Sequence, residues 1–328
     1  MAVKFYQKGN YQVLDGDVER IGQFDIVADG TVVNIIDRNK ESNVWNGNIS
    51  DIQDSSGTSI GSTFSDLTSY ISSQFIDTVT VSSTGGGNDS VVNKFGYNTD
   101  IDTATDPEII ASFGGVFDPL TDVMTTAQTF TVTYDTTTNG GDGSTGTGAR
   151  MLLFNYIDGN NTAQTGYHTL GSGGSDTTSF TGLGINRCVV VLFGSVAYNN
   201  NDITITATTD GTTQAKIPAQ KSVTQQCLYH VPISRTFNLD FINLSALKIS
   251  GGGGSPVVNV IGYSFSRVTS GRYAVIDLEI DTSIENNLSI NYENPITFTG
   301  REVIWFEGET DVNNTKVSMR FSGTETDS

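Results

Sequence analysis

The side chains able to do chemistry are few in kind and poorly grouped. Two histidines, His168 and His230, stand far apart in the chain, as do the two cysteines, Cys188 and Cys227. A cysteine nucleophile needs a histidine to take its proton and a third group to orient that histidine. The run Cys227-Leu228-Tyr229-His230-Val231-Pro232 offers the pair. Strand alternation, however, sends Leu228 and His230 to one face and Cys227, Tyr229 and Val231 to the other. Both cysteines lie in strand-like runs, where a free thiol packs as a small hydrophobe. Two are too few for a disulfide scaffold or a cysteine metal site.

Carboxylates are abundant, and their number defeats selection. Asp100, Asp102 and Asp106 begin like a calcium loop, but the sixth position is not glycine and the twelfth is not glutamate. Glu108 and Asp118 would join them only through folding. A structural calcium ion is the one cofactor this pattern suggests; a solvated acidic loop is the plainer reading. A glycosidase needs two carboxylates across a cleft, and 36 candidates give no reason to choose a pair. Gly-x-Ser-x-Gly, His-Glu-x-x-His and the phosphate-cradling Gly-x-x-x-x-Gly-Lys-Ser/Thr are all missing. The glycine runs 85–87 and 251–254 read as inter-strand loops. No catalytic, cofactor-binding or metal-ligating residue is assigned, and the chain reads as not an enzyme. A sugar site would need an exposed aromatic beside amides and carboxylates. Trp45, flanked by Asn43 and Asn46, is a candidate for it, whereas Trp305 in Val303-Ile304-Trp305-Phe306 reads as core.

The elements that would position these groups follow from composition and periodicity. The 328 residues hold 17 Lys+Arg against 36 Asp+Glu, a net charge of −19, with 36 Gly and many Thr, Ser and Asn. So acidic a chain without a basic cluster offers no phosphate-binding surface, which excludes a nucleic-acid partner. No apolar stretch is long enough to span a membrane, and the first residues do not read as a signal peptide. β-Branched and aromatic residues between Gly/Asn turns favour strands. Alternating or apolar runs predict strands at 127–134, 149–157, 187–196, 202–208, 226–231, 236–244, 257–264, 273–280, 301–307 and 315–321. The runs 149–157 and 187–196 are apolar enough to be covered on both faces. The polar tract 135–148 reads as a mobile loop.

The first 82 residues read as a small β/α module that attaches the protein to a partner. They hold five of the basic residues, Lys4, Lys8, Arg20, Arg38 and Lys40, with strands near 21–27 and 31–36. Phe64, Leu67, Ile71 and Phe75 recur at helical spacing after Ser62 or Thr63 as cap. A Gly/Ser-rich linker follows at 83–94. Residues 95–328 are expected to form a mainly β domain, an antiparallel two-layer β-sandwich of jelly-roll type. Its expected buried set is Phe130, Val132, Leu153, Val189, Leu192, Ile203, Ile205 and Trp305.

Several segments together resemble the virion structural proteins (tail, fibre or capsid-associated) of marine tailed bacteriophages. They are 95–108 with Gly114-Gly115, Gly146-Thr147-Gly148-Ala149-Arg150, Gly182-Leu183-Gly184-Ile185-Asn186-Arg187, 197–205, Leu228-Tyr229-His230-Val231-Pro232 and 313–323. The resemblance, which spans 90–325, implies a non-enzymatic structural component of a virus particle located in the virion and serving assembly or host attachment. It implies other virion structural proteins as partners, a homo-oligomer with a trimer as the expected form, and a host surface glycan as a further partner. It also implies that Arg150 and Tyr229 anchor loops to the body. The chain lacks the collagen-like or coiled-coil shaft of a long fibre, which favours a compact component on a tail, baseplate, fibre base or capsid surface. A glycan-binding module is the alternative function, and a carbohydrate-active hydrolase the next.

Overall fold

The computed structural model describes residues 3–6, 11–15, 18–22, 24–29, 32–37, 42–53, 58–63, 66–67, 90–103, 106–249 and 254–328. Among these the chain is almost wholly β. Strands β1 (Val3–Tyr6), β2 (Tyr11–Asp15), β3 (Val18–Gly22) and β7 (Ile52–Gln53) form a small sheet in the order β3-β2-β1-β7. Strands β4 (Phe24–Asp29), β5 (Val32–Asp37) and β6 (Ser42–Asn48) join a larger sheet instead. Its other members are β11 (Ala149–Ile157), β12 (Ala163–Thr169) and β14 (Gly184–Phe193), and its order is β12-β11-β14-β4-β5-β6. The junction is parallel, with Phe193 opposite Val27. Of the helix expected after residue 62, Leu67 is fully buried, and Thr63 and Asp66 exchange reciprocal cap bonds of 2.9 and 3.2 Å. Phe64, Ile71 and Phe75 lie outside the described residues, as do the loop glycines 85–87.

Three further sheets hold the remaining described strands. Strands β10 (Phe130–Thr133), β13 (Ser175–Thr177), β15 (Ile203–Ala207) and β16 (Thr213–Ile217) run in the order β13-β10-β15-β16. Strands β17 (Leu228–His230), β19 (Val257–Ser266), β20 (Gly271–Asp281) and β22 (Glu302–Thr310) run β17-β22-β19-β20, with β9 (Glu108–Ile109) also paired to β22. Strands β8 (Ser90–Ile101), β18 (Arg235–Lys248), β21 (Asn287–Thr299) and β23 (Thr315–Asp327) run β21-β18-β23-β8. Strand β8 thus begins inside the span read as linker.

The jelly-roll-like two-layer β-sandwich expected over 95–328 is therefore corrected. The span is divided among four mostly antiparallel sheets, the number in a four-bladed β-propeller, and none of the four is a plain meander. There is no single core. Phe130, Val132, Leu152, Phe154, Val190, Ile203 and Ile205 close one, and Phe237, Leu239, Val260, Ile304, Phe306, Met319 and Phe321 close another. A third, smaller core gathers Phe117, Val123, Leu228 and Trp305. Alternation along a strand states that one face is covered; it does not state by which sheet. Each fully buried Phe or Ile in these cores is worth about 1.5–3 kcal/mol over its exposed state.

Two smaller corrections have local causes. Leu153 and Val189 are half-buried, not core, because they pair with each other on the face of their sheet opposite Leu152 and Phe154. The tract 135–148 is a bonded knot, not a mobile loop. The buried Asp142 carboxylate accepts from the backbone N–H of Ala149 at 2.7 Å and of Asn200 and Asn201 at 3.0 Å. Asn200 Nδ2 in turn donates to the Gly141 carbonyl at 2.9 Å. The tract's buried polar groups are met by partners within the fold, Asn200 and Asn201 among them, which is what burial demands.

Strand β21 departs from regular pairing. Asn291 faces Phe241 and Ile296 faces Leu239, so residues 292–295 bulge out opposite Asp240 alone.

Candidate glycan-binding face

The outer face of the sheet β21-β18-β23-β8 is built from alternation. Val317, Met319 and Phe321 of β23 point into the core, so Lys316, Ser318, Arg320 and Ser322 point out. Register then fixes the neighbours, since directly paired residues share a face. On β8, Asn93 stands opposite Ser322, Phe95 opposite Arg320 and Tyr97 opposite Ser318. On β18, Phe241, Asn243 and Ser245 occupy the same three rows, and Asn291, Ser289 and Asn287 of β21 complete them. Phe95 is 46% exposed, and Tyr97 and Phe241 are half-buried.

Contacts within the face hold its groups in place. The Phe95 and Tyr97 rings lie 6.4 Å apart, and the Lys316 ammonium sits 5.2 Å over the Tyr97 ring. Arg320 Nε donates to Asn93 Oδ1 at 2.9 Å. Asn243 Nδ2 donates to Asn287 Oδ1 at 2.8 Å and to Ser289 Oγ at 2.7 Å. Burial pushes the Tyr97 phenol up, and the Asp202 carboxylate adds to the shift. Gly96 lets the inner side of β8 approach the backbone. A Cβ there would lie 2.5 Å from both Cys227 N and the Ile110 carbonyl oxygen. Beyond Leu247 the face meets a cleft of about 440 Å³ lined by Lys248, Ser255, Pro256, Thr282 and Asn286.

The sequence-derived candidates are distributed elsewhere. Cys188 and Cys227 are buried free thiols. Cys227 Sγ donates to the Met319 carbonyl at 3.2 Å, and burial pushes its thiol up to about 12. His230 is buried with Nδ1 accepting from Arg267 Nη2 at 2.9 Å. Because a guanidinium only donates, the neutral ring carries its proton on Nε2. Burial, then the Arg267 and Lys94 charges, hold it neutral. Cys227 and Tyr229 belong to one core and Leu228 to another, so the opposite-face assignment holds and no Cys/His pair forms. His168 Nε2 lies 4.0 Å from Asp176 Oδ2, and burial lowers its proton affinity despite that neighbour.

The carboxylates named for calcium do not converge. Asp102 Oδ1 accepts from Asn314 N at 3.2 Å, Glu108 Oε2 from Asn98 Nδ2 at 2.9 Å, and Asp118 Oδ1 caps a short helix through Leu120 N at 3.0 Å. Asp100 is the penultimate residue of β8, and both it and Asp106 are exposed. Among the described residues no three His, Cys, Asp or Glu side chains are grouped to hold a metal ion. Trp45 lies on β6 opposite Ile35, its side chain outside the described residues. Tyr229 donates its hydroxyl to Glu325 Oε1 at 2.6 Å, and Arg150 Nη2 donates to the Gly146 carbonyl at 2.9 Å.

Trp305 is fully buried, as its apolar surroundings predict. Phe117 and Tyr263 pack on it at 5.2 and 5.4 Å, and its Nε1 donates to Glu307 Oε1 at 2.6 Å. Arg272 lies 3.8 Å over Tyr263 and donates to Glu307 Oε2 at 2.8 Å. Burial raises the Glu307 carboxyl, against the pull of Trp305 and Arg272. Every arm of this cluster is occupied from within.

Phe95, Tyr97 and Phe241 are not among the site residues expected from the sequence. The signal was available in Phe95-Gly96-Tyr97, where two aromatics at strand spacing flank a residue with no side chain to compete for the inner face.

No protein-family model matches the chain, and no curated protein does. Solved structures with some likeness are particles of infectious bursal disease virus. One is the T=1 particle, at 12% identity and TM-score 0.15, covering 73% of this chain and 69% of that one. Another is the T13 particle, at 9% identity and TM-score 0.12, covering 73% and 78%. The Gt strain structure gives 10% identity and TM-score 0.11, covering 75% and 82%. The likeness is a weak one to viral structural proteins in general, not to tail or fibre proteins of tailed phages, and at these values it carries no argument. The reading of the chain as a virion tail, fibre or capsid component is corrected with the fold that supported it. It required a jelly-roll-like sandwich body, and the four-sheet build does not supply one.

Proposed function

We propose that this chain is a glycan-binding module whose ligand lies across the outer face of the sheet β21-β18-β23-β8. The observation that carries the reading is the register of Phe95, Tyr97 and Phe241 with Asn93, Asn243, Asn287 and Asn291 on one solvent-facing surface. A sugar ring has an apolar C–H face and a rim of hydroxyls. The first packs on an aromatic ring, and the second exchanges hydrogen bonds with amides, which donate and accept at once. A sheet surface with strands about 4.8 Å apart and rows about 6.6 Å apart offers these partners repeatedly, which suits an extended chain of sugars.

The test is binding of the full chain to a panel of oligosaccharides, followed by isothermal titration. Phe95→Ala is expected to weaken any binding at least about tenfold, in keeping with the loss of one aromatic contact. Unaltered binding by Phe95→Ala and Phe241→Ala, or no oligosaccharide bound at all, would overturn the reading.

A further inference from the structure

Resting on that glycan-binding reading, we infer that the sugar taken by this face is acidic, carrying carboxylates as a polyuronate does. The chain as a whole is strongly anionic, with 36 Asp+Glu against 17 Lys+Arg. The in-register rows of the face reverse that balance. They present Arg320, with Lys316 one row further along β23 opposite Leu247, while carboxylates come at the margins. Asp100 lies at the register shift of β8 across from Lys316 without an ion pair to it, Asp240 and Glu293 sit at the bulge, and Asp202, near Tyr97, is already paired with Lys216 at 2.7 Å.

Two other described arginines are committed to carboxylates within the fold. Arg235 pairs with Asp327 at 2.5 Å and Arg272 with Glu307 at 2.8 Å. Neither Lys316 nor Arg320 has a carboxylate partner among the described residues. Both are nevertheless held. Lys316 sits over the Tyr97 ring in a cation–π contact, and Asn93 fixes the plane of the Arg320 guanidinium through Nε. A guanidinium so oriented is suited to paired hydrogen bonds from a carboxylate, the strong form of that contact.

Spacing refines the ligand. Lys316 and Arg320 stand four residues apart on one strand, a separation of about 13 Å at the strand rise. One carboxylate cannot reach both. The two cations address separate acidic residues of one chain, with Phe95 and Tyr97 packing the sugars between them.

The experiment titrates the full chain with tetramers of galacturonate, guluronate and mannuronate, and with each after reduction of its carboxyl groups to neutral hydroxymethyls. At least one acidic tetramer is expected to bind about tenfold or more tightly than its reduced form. That ratio should narrow for Arg320→Gln and for Lys316→Gln, and narrow again when ionic strength is raised to about 0.5 M. The monomeric uronate should bind far more weakly than the tetramer. Equal binding of acidic and reduced tetramers, or binding of neutral glycans alone, would overturn the acidic assignment and leave the glycan reading standing. Silence towards every oligosaccharide would remove both.

Discussion

The two sheets that enclose the second core treat their outer faces differently. On β17-β22-β19-β20, residues 109–123 fold back over the surface and place Phe117 and Val123 against Trp305. The polar groups there close on one another, with Glu307 taking both the indole N–H and the Arg272 guanidinium. On β21-β18-β23-β8, no described segment gives Phe95, Tyr97 and Phe241 such a cover, and Phe95 keeps 46% of its surface in solvent. Both faces carry aromatics, amides and charges, so composition does not distinguish them. The distinction lies in whether the rest of the chain has used those groups. Trp305 is consumed by packing; the aromatic row on β8 is available to a ligand.

The sharpest way to break this comparison is Trp305→Ala. It should cost about 3–5 kcal/mol by leaving a cavity under Phe117 and a buried carboxylate without its indole donor. Chemical denaturation measures the loss, and a change below 1 kcal/mol would mean the covered face is not packed as described.

The inner side of β8 gives the next effect. Lys94 is buried, its ammonium donates to the Asn186 carbonyl, and burial pulls it down to about 7. For a base with a lowered folded pKa, the unfolded chain holds the extra proton between about pH 7 and 10.5. Stability therefore rises with pH through that window, and the cost is fully present below it. Lys94→Met should remove that rise and add about 2–4 kcal/mol at pH 6. Denaturation at pH 6 and pH 10 decides it, because an unchanged slope would show that Lys94 does not titrate there.

Phe95→Ala sharpens the comparison from the open side. It should weaken oligosaccharide binding by about 1.5 kcal/mol while changing stability by less than about 1 kcal/mol, since its ring packs on little of the fold. A stability loss as large as that of Trp305→Ala would show the ring to be structural. The smallest effect is expected of Asn243→Ala, which cuts the amide link from β18 to β21. A cost of about 0.5–1 kcal/mol fits one partly exposed hydrogen-bond network. Amide exchange that quickens at 287–291 but not at 317–321 would place the loss at that edge.

Much of the strand content was legible because alternation is a local signal. Ile203-Thr204-Ile205-Thr206 and Phe130-Thr131-Val132 pack as their spacing predicts. The division into four sheets was not legible, since it depends on pairings between distant residues such as Arg320 with Asn243 and Phe95. Tract 135–148 misled for the reverse reason. Its Gly, Thr and Asp composition describes a loop in isolation, whereas Asn200 and Asn201, far along the chain, supply the donors that fix it. The candidate face fell between these cases. Its aromatics were visible in Phe95-Gly96-Tyr97, but their exposure follows from Gly96 lying against Cys227 and Ile110.

The bulge at 292–295 bears on how this protein behaves when crowded. Strand β21 is the outer strand of its sheet, and an unpaired strand edge is a template on which a strand from another molecule can add. Here the row of free backbone groups is interrupted midway. The bulge throws the chain out of plane, Pro295 has no N–H to offer, and Glu293 adds an exposed charge. Copies of this chain brought close together meet an edge that resists zippering into aggregates.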